Sequence, residues 1–362
     1  MKVVFFSSYY PKYLDSFYKK NPLLGSMSYD EQLDALHKDF FGDWASYLPP
    51  FYKLGAEPHL IVPNCKPLQE AWAKENNIKW DSKTWQYSLP IEQVKMIKPD
   101  VFYIGNMFEY YGEFLDAIKK YTKKIFGWIA CEIPAGVKPM QLDLVLSSLP
   151  LFVDQFRKDG LNAEFLTAAF DSSILNEIER TPADINFSFI GSLTKAHSKR
   201  INMIKHLIDH TDLEFYGLNI EAIPDERPFF KRLTPSIYKT KFRGEAWGLD
   251  MYKVLNRSKI TFNAHIDISG SYIGNMRMYE ATGMGTLLLT DGKNAPVKLF
   301  TDDEVVYYDT VEDAIDKYKY YISHETERNE IARKGQRRTL SDYSYEKTSA
   351  QLYDYFAKYI GQ

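Results

Sequence analysis

Short apolar runs that end in polar turns recur along the chain with helix-period segments between several of them, and this alternation restricts the fold more than any other feature. Val3 to Phe6 is the first such run and stops at Ser7-Ser8; Pro58 to Pro63, Asp100 to Asn106, Lys124 to Ala130 and Leu142 to Ser147 follow it. None alternates strictly between polar and apolar residues. A strand of that kind offers water neither face, so it belongs in a parallel sheet covered by helices on both sides. The first half therefore reads as α/β.

The pattern breaks near Phe170-Asp171-Ser172-Ser173 and again at Thr181-Pro182-Ala183-Asp184, where polar residues and a proline suit a linker. It then restarts. Ile185 to Ile190 ends at Gly191-Ser192-Leu193, a helix is expected from Ser198 to His210, and Leu213 to Gly217 forms the next strand. Lys259 to Ala264, Thr286 to Asp291 and Val305 to Tyr308 complete a second α/β unit. A chain of 362 residues is long for a single core. Two Rossmann-like domains are expected, over residues 1–171 and 184–344. Val311, Ala314, Ile315, Tyr318, Tyr321 and Ile322 keep helical spacing, as do Tyr345 to Tyr359, which predicts two closing helices. The last of them, in 345–362, is expected to pack back on the first domain.

Composition removes several functional classes. A formal net charge of −3 gives no general field for nucleic acid. The local basic runs at Lys119-Lys120, Lys123-Lys124, Arg333-Lys334 and Arg337-Arg338 read as solvated helix faces, which leaves at most peripheral membrane contact. Cys65 and Cys131 lie far apart and outside any C-x-x-C spacing, so neither a disulfide framework nor a zinc site is indicated. The apolar run at Met1 to Ser8 is too short for a signal peptide, and no stretch reaches membrane-spanning length. A cytoplasmic location is expected, at most peripheral to the inner face of the membrane.

Chemistry concentrates between Ser269 and Asp291, a Gly/Ser loop followed by a helix and a strand. Small residues let a backbone approach an anion closely, and Asn275 suits the N-cap of a helix whose first N–H groups would point into the loop. Tyr272, Gly274 and Asn275 would border this phosphate cradle. Arg277 and Glu280 are three apart and share one helix face, so a guanidinium can meet a diphosphate while a carboxylate accepts from ribose hydroxyls. The alternative is that these two side chains only pair with each other. Gly283 and Gly285 follow the helix and read as structural. His206 and His210 have i, i+4 spacing without an evident third metal ligand, and a solvent-facing role suits them. His265 follows a strand and precedes the Gly/Ser loop, which brings it within reach of a ligand. No G-x-S-x-G is present, so a serine-hydrolase reading fails.

Arg277 to Asp291 resembles the R-x-x-E-a-x-a-x-G-x-x-l-l-t-d segment of the CgeB-like glycosyltransferases, a GT-B group related to retaining enzymes with an E-x7-E motif. Phe189 to Leu193 with Arg200, Tyr252 to Asn263, and Tyr308 to Tyr343 resemble further segments of that group in the expected order. The resemblance covers about Asp184 to Tyr345 and is weaker in the first half, at Asp143 to Asp171. It implies two Rossmann-like domains facing across a cleft, with a nucleotide-sugar held by the C-terminal one. It also implies that Lys195 and Arg200 offer cations to the diphosphate, that Arg243 and Gly244 lie by the base, and that Glu280 contacts the ribose. The first glutamate of E-x7-E would fall at Tyr272 and is missing, which leaves the anomeric outcome open. No tightly bound cofactor or metal is implied; the nucleotide-sugar is a substrate.

The implied function is sugar transfer from that donor to a hydroxyl acceptor, whether glycan, lipid-linked or other, in bacterial surface glycan or glycoconjugate synthesis. An aromatic content of 15% is in keeping with sugar handling. Two alternatives share the scaffold: a nucleotide-sugar epimerase, and a carbohydrate-binding coat-type protein without turnover. Loops after strands of the first half, Ser7 to Tyr13, Asn106 to Tyr110 and Cys131 to Pro134, are the expected acceptor side. Glu132 is the first choice and Glu109 the second for taking a proton from the acceptor, with His37 and Asp15 behind them.

Overall fold

A computed structural model describes residues 1–362 except 43, 135, 138, 194–197, 225–235, 266–273, 296–297 and 362. The chain divides into two units: Met1–Thr167 with Tyr345–Gln362, and Ala168–Ser344. Unit 1 has strands β1 (Lys2–Phe6), β2 (Glu57–Ile61), β3 (Val101–Ile104), β4 (Lys124–Trp128), β5 (Leu144–Ser147) and β6 (Ala163–Phe165). Its helices are α1 (Pro11–Lys20), α2 (Tyr29–Lys38), α3 (Leu48–Lys53), α4 (Lys66–Glu75), α5 (Trp85–Ile97), α6 (Glu113–Lys119) and α7 (Pro150–Lys158). All six strands are parallel, in the order β2-β1-β3-β4-β5-β6.

The lack of polar alternation in these strands is explained by cover on both faces. Val4, Phe6, Phe102, Ile104, Ile125 and Val145 meet Phe114, Leu115 and Ile118 of α6 on one side. Phe5, Tyr103 and Phe126, displaced by one residue, project to the other. There Phe51 of α3 lies 5.0 Å from Phe5. The chain's last helix supplies Phe356, 5.4 Å from Tyr103 and 5.2 Å from Phe126. Each such ring removed from water contributes about 1.5–3 kcal/mol, which is why residues from the far end of the sequence belong to this core. Glu164 of β6 adds a polar tie to that helix through Lys358 Nζ and the Tyr359 hydroxyl, both at 2.8 Å. Burial opposes the Glu164 charge, but these partners outweigh it and hold the carboxyl below its usual range.

Strand β2 is an edge, and side chains close it. Tyr52 Oη donates to Pro58 O at 3.2 Å and Tyr29 Oη to Leu60 O at 3.4 Å, while Pro58 itself has no N–H to offer.

Unit 2 continues with α8 (Ile174–Glu177), β7 (Ile185–Ser192), α9 (Ser198–His210), β8 (Glu214–Leu218), α10 (Ile237–Lys241), α11 (Gly248–Arg257) and β9 (Ser258–Asn263). It closes with α12 (Met276–Gly283), β10 (Leu287–Asp291), β11 (Val306–Tyr308), α13 (Val311–Ser323) and α14 (Glu325–Asp342); α15 (Tyr345–Ile360) is the returning helix of unit 1. Its sheet is also parallel, ordered β11-β10-β9-β7-β8. Phe187, Phe189, Phe215, Phe262, Leu287 and Leu289 form the centre of its core. Phe170 and Ile174, in the stretch read as a linker, are buried within this unit, where Phe170 N–H donates to Tyr343 O at 2.8 Å.

Three helices close the sequence: the two that keep an apolar period, and between them the one that carries the basic runs at Arg333-Lys334 and Arg337-Arg338. This middle one, α14, buries Arg328, Ile331, Ala332, Gly335 and Thr339. Small and polar residues make up most of that inner face, so no apolar period announces it. A Cβ at Gly335 would collide with Glu304 O, and Thr339 Oγ1 meets Thr282 Oγ1 at 2.6 Å. Among the described residues no helix is long and apolar enough to cross a membrane.

Candidate functional site

Open parallel sheets bind ligands beyond the carboxyl ends of their strands. In unit 2 those ends are Ser192, Leu218, Asn263, Asp291 and Tyr308. Helix α12 begins beside them. Asn275 stands at its N-cap with extended backbone (φ −79°, ψ 163°), but no side-chain cap is made. Its amide instead pairs with that of Asn263, Nδ2 to Oδ1 in both directions at 2.9 and 3.1 Å. Asn263 also donates to Thr290 Oγ1 at 3.0 Å, and its carbonyl accepts from Tyr308 Oη at 2.9 Å. The helix start is thus fixed to the strand ends without its own amides being capped by Asn275, which keeps the positive end of the helix available to an anion.

Arg277 and Glu280 form an ion pair, Nη1 to Oε2 at 2.8 Å, with side chains only 14% and 12% exposed. Arg277 Nη2 donates to Ile190 O at 3.3 Å and Nη1 approaches Met251 Sδ at 3.2 Å. Its Nε is buried without a partner among the described residues. A ligand would therefore meet a matched pair, and net positive potential must come from the helix start and from other cations. Arg200 is one: Nη2 donates to Ala264 O at 2.7 Å, and Nε is buried without a described partner. Burial pushes its pKa below the usual arginine value, opposed by the Asp291 charge.

Three glycines bring backbones together at the other side of this rim. Gly217 has φ +144°, and a Cβ there would collide with Gly191 O. Its N–H donates to Gly244 O at 2.9 Å, and Arg243 N–H donates to Phe215 O at 2.8 Å, so 242–244 runs beside β8. The Arg243 side chain turns towards the start of β8, onto Glu214 at 3.0 Å, away from the strand ends. Gly274 immediately precedes the N-cap and is half-buried; Lys195 and Tyr272 lie outside the described residues.

In unit 1 the loops after β1 and β3 meet where Ser8 Oγ donates to the exposed Glu109 Oε2 at 3.0 Å. Glu132 is exposed shortly after β4. Asp15 is exposed on α1. His37 lines a cavity of about 500 Å³ with Trp72, Gln93 and β2 residues, and burial lowers its pKa against the opposing charge of Asp34. The rings of His206 and His210 lie 4.3 Å apart on α9, with His206 3.6 Å from Glu312.

Residues 180–354 match the family model described as glycosyl transferase-like. The whole chain is similar to a glycosyltransferase from Rickettsia africae ESF-5, with TM-score 0.58, 11% identity and coverage of 99% of this chain and 98% of that one. It is likewise similar to Alr3699/HepE of Anabaena, solved with UDP and glucose, with TM-score 0.57, 10% identity and coverage of 99% and 100%. A sucrose-phosphate synthase from Thermosynechococcus elongatus gives TM-score 0.56, 8% identity and coverage of 99% and 98%. The fold is GT-B. No curated protein sequence matches the chain significantly.

Within this GT-B frame, Asn263, Asp291 and Gly217 are the residues that sequence reasoning passed over. Their signal was present: each lies at or within one residue of the end of an apolar strand and is of a type that strands otherwise disfavour. Asp291 holds His265, with its carboxylate 2.6 Å from Nδ1 and accepting the His265 backbone N–H at 2.9 and 3.1 Å.

Proposed function

We propose that this protein is a glycosyltransferase that takes its sugar from a nucleoside diphosphate donor bound at the strand ends of unit 2. The observation that carries this reading is the convergence there of an α12 start without a side-chain cap, the Arg277–Glu280 pair and Arg200. Amides and fixed cations stabilise a leaving diphosphate as its charge develops, and in this reading they do so without a bound metal. Glu280 accepts from the ribose, with Gly274 and the 243–244 backbone as further donor contacts. The family match and the UDP-glucose complex of the Anabaena protein support a nucleotide-sugar donor. The finer likeness to CgeB-like enzymes supports transfer to a hydroxyl acceptor in surface glycan or glycoconjugate synthesis, at a cytoplasmic site.

Unit 1 supplies the acceptor's proton acceptor, Glu132 first and Glu109 second. The test is incubation with UDP-, GDP- and dTDP-hexoses and a panel of glycan and lipid-linked acceptors, following diphosphate release and the sugar product together. Coupled release and transfer is expected. Interconversion of the nucleotide-sugar without acceptor indicates an epimerase, and glycan binding without turnover indicates a carbohydrate-binding protein. Glu132→Gln is expected to lower the transfer rate about 10²–10⁴-fold with donor affinity unchanged. Transfer at nearly the parental rate by a folded variant removes Glu132 from the mechanism.

A further inference from the structure

We propose that His265 is a positioning residue for the donor diphosphate, an inference that rests on the donor site assigned to unit 2. Its side chain is 6% exposed and bridges two elements. Nδ1 lies 2.6 Å from Asp291 Oδ1 at the end of β10, and Nε2 accepts the Asn275 N–H at 3.4 Å at the start of α12. An imidazole that accepts at Nε2 carries its proton on Nδ1, where the carboxylate takes it, so the two contacts specify one tautomer. The same carboxylate holds the His265 backbone N–H, which leaves the ring little freedom to turn.

The contact matters because of what Asn275 does not do. Its side chain is committed to Asn263 and caps nothing in α12. Among the described residues the N-cap itself is held from outside by two ties: the Asn263 amide pair acting on the side chain, and the His265 ring acting on the backbone N–H. The ring engages the N-cap amide and leaves those of Met276 and Arg277 to a ligand, while Met278 N–H already returns to Asn275 O at 3.1 Å. His265 aims the amides that a diphosphate would use and touches neither base nor ribose in this scheme. Removing it should weaken recognition of the phosphates selectively.

The experiment compares wild type, His265→Ala and His265→Gln for affinity towards the tightest-binding of UDP, GDP, ADP and dTDP and towards the corresponding nucleoside, with melting temperatures alongside. His265→Ala is expected to lose about tenfold or more in diphosphate affinity while nucleoside affinity stays within about twofold. His265→Gln, whose Oε1 can reach the Nε2 position and accept the Asn275 N–H, is expected to recover most of the loss. Diphosphate affinity unchanged in a folded His265→Ala, or diphosphate and nucleoside affinities falling together, overturns the proposal. A wild-type protein that binds none of the four diphosphates overturns the donor reading and this one with it.

Discussion

Replacing Arg277 by alanine is expected to weaken nucleoside diphosphate binding by about 1.5–3 kcal/mol, a factor of roughly 10–150. Two effects act in the same direction. The variant loses the charge-assisted bonds of a guanidinium that is only 14% exposed, and it leaves Glu280, 12% exposed, without its partner. An unpaired carboxylate next to an incoming diphosphate is repulsive as well as poorly solvated. Glu280→Ala is expected to cost a similar amount through the lost ribose contact. The double variant Arg277→Met with Glu280→Gln should lose less than the sum of the single losses, because residues that share an interaction are not additive. Calorimetric titration of each variant checks this, with melting curves to establish folding. Unchanged affinity in folded single variants would show that Arg277 and Glu280 only pair with one another.

The second large effect is structural and lies at the same rim. Gly217→Ala is expected to cost more than about 4 kcal/mol, enough to prevent unit 2 from folding cooperatively. The new Cβ would enter the Gly191 carbonyl oxygen, a backbone atom that cannot swing aside, at a φ of +144° that L side chains rarely adopt. Relief would require β7 and β8 to part and the Gly217 to Gly244 hydrogen bond to break. Gly55→Ala serves as the control, since φ there is +78° but nothing lies within 4 Å of the added carbon. That substitution should cost only about 1 kcal/mol. Thermal and urea melts separate the two, and a Gly217→Ala protein that melts within a few degrees of the parent would show that the strand ends are looser than the contacts imply.

Much of this was legible before any coordinates. The runs around Val4, Phe102, Ile125, Phe189 and Phe262 are apolar without alternation because both faces of each sheet are covered, and that property survives in one dimension. Helix α14 shows in the sequence through its basic runs and not through an apolar period, because its inner face touches neighbours through Gly335 and Thr339, whose value lies in closeness and hydroxyl pairing. At the site, the segment from Ser269 to Asp291 could be singled out from its Gly/Ser loop, its N-cap candidate and the spacing of Arg277 and Glu280. The partners of Asn275 could not. As an N-cap candidate its side chain was expected to serve its own helix, but Asn263, twelve residues earlier, competes successfully for the amide. Nor could sequence show that Arg243 turns to Glu214, since proximity of β8 and the 242–244 segment depends on the three-glycine contact.

Donor recognition as proposed requires unit 2 to hold a nucleoside diphosphate at the start of α12. The most direct measurement is calorimetric titration of the full-length chain with UDP, GDP, ADP and dTDP, and of the Arg277→Ala variant with whichever binds best. The expected result is saturable binding of at least one of them with a dissociation constant between about 1 μM and 1 mM, weakened at least about tenfold in the variant. No heat of binding from any of the four at millimolar concentration, or equal affinity in parent and variant, would contradict it.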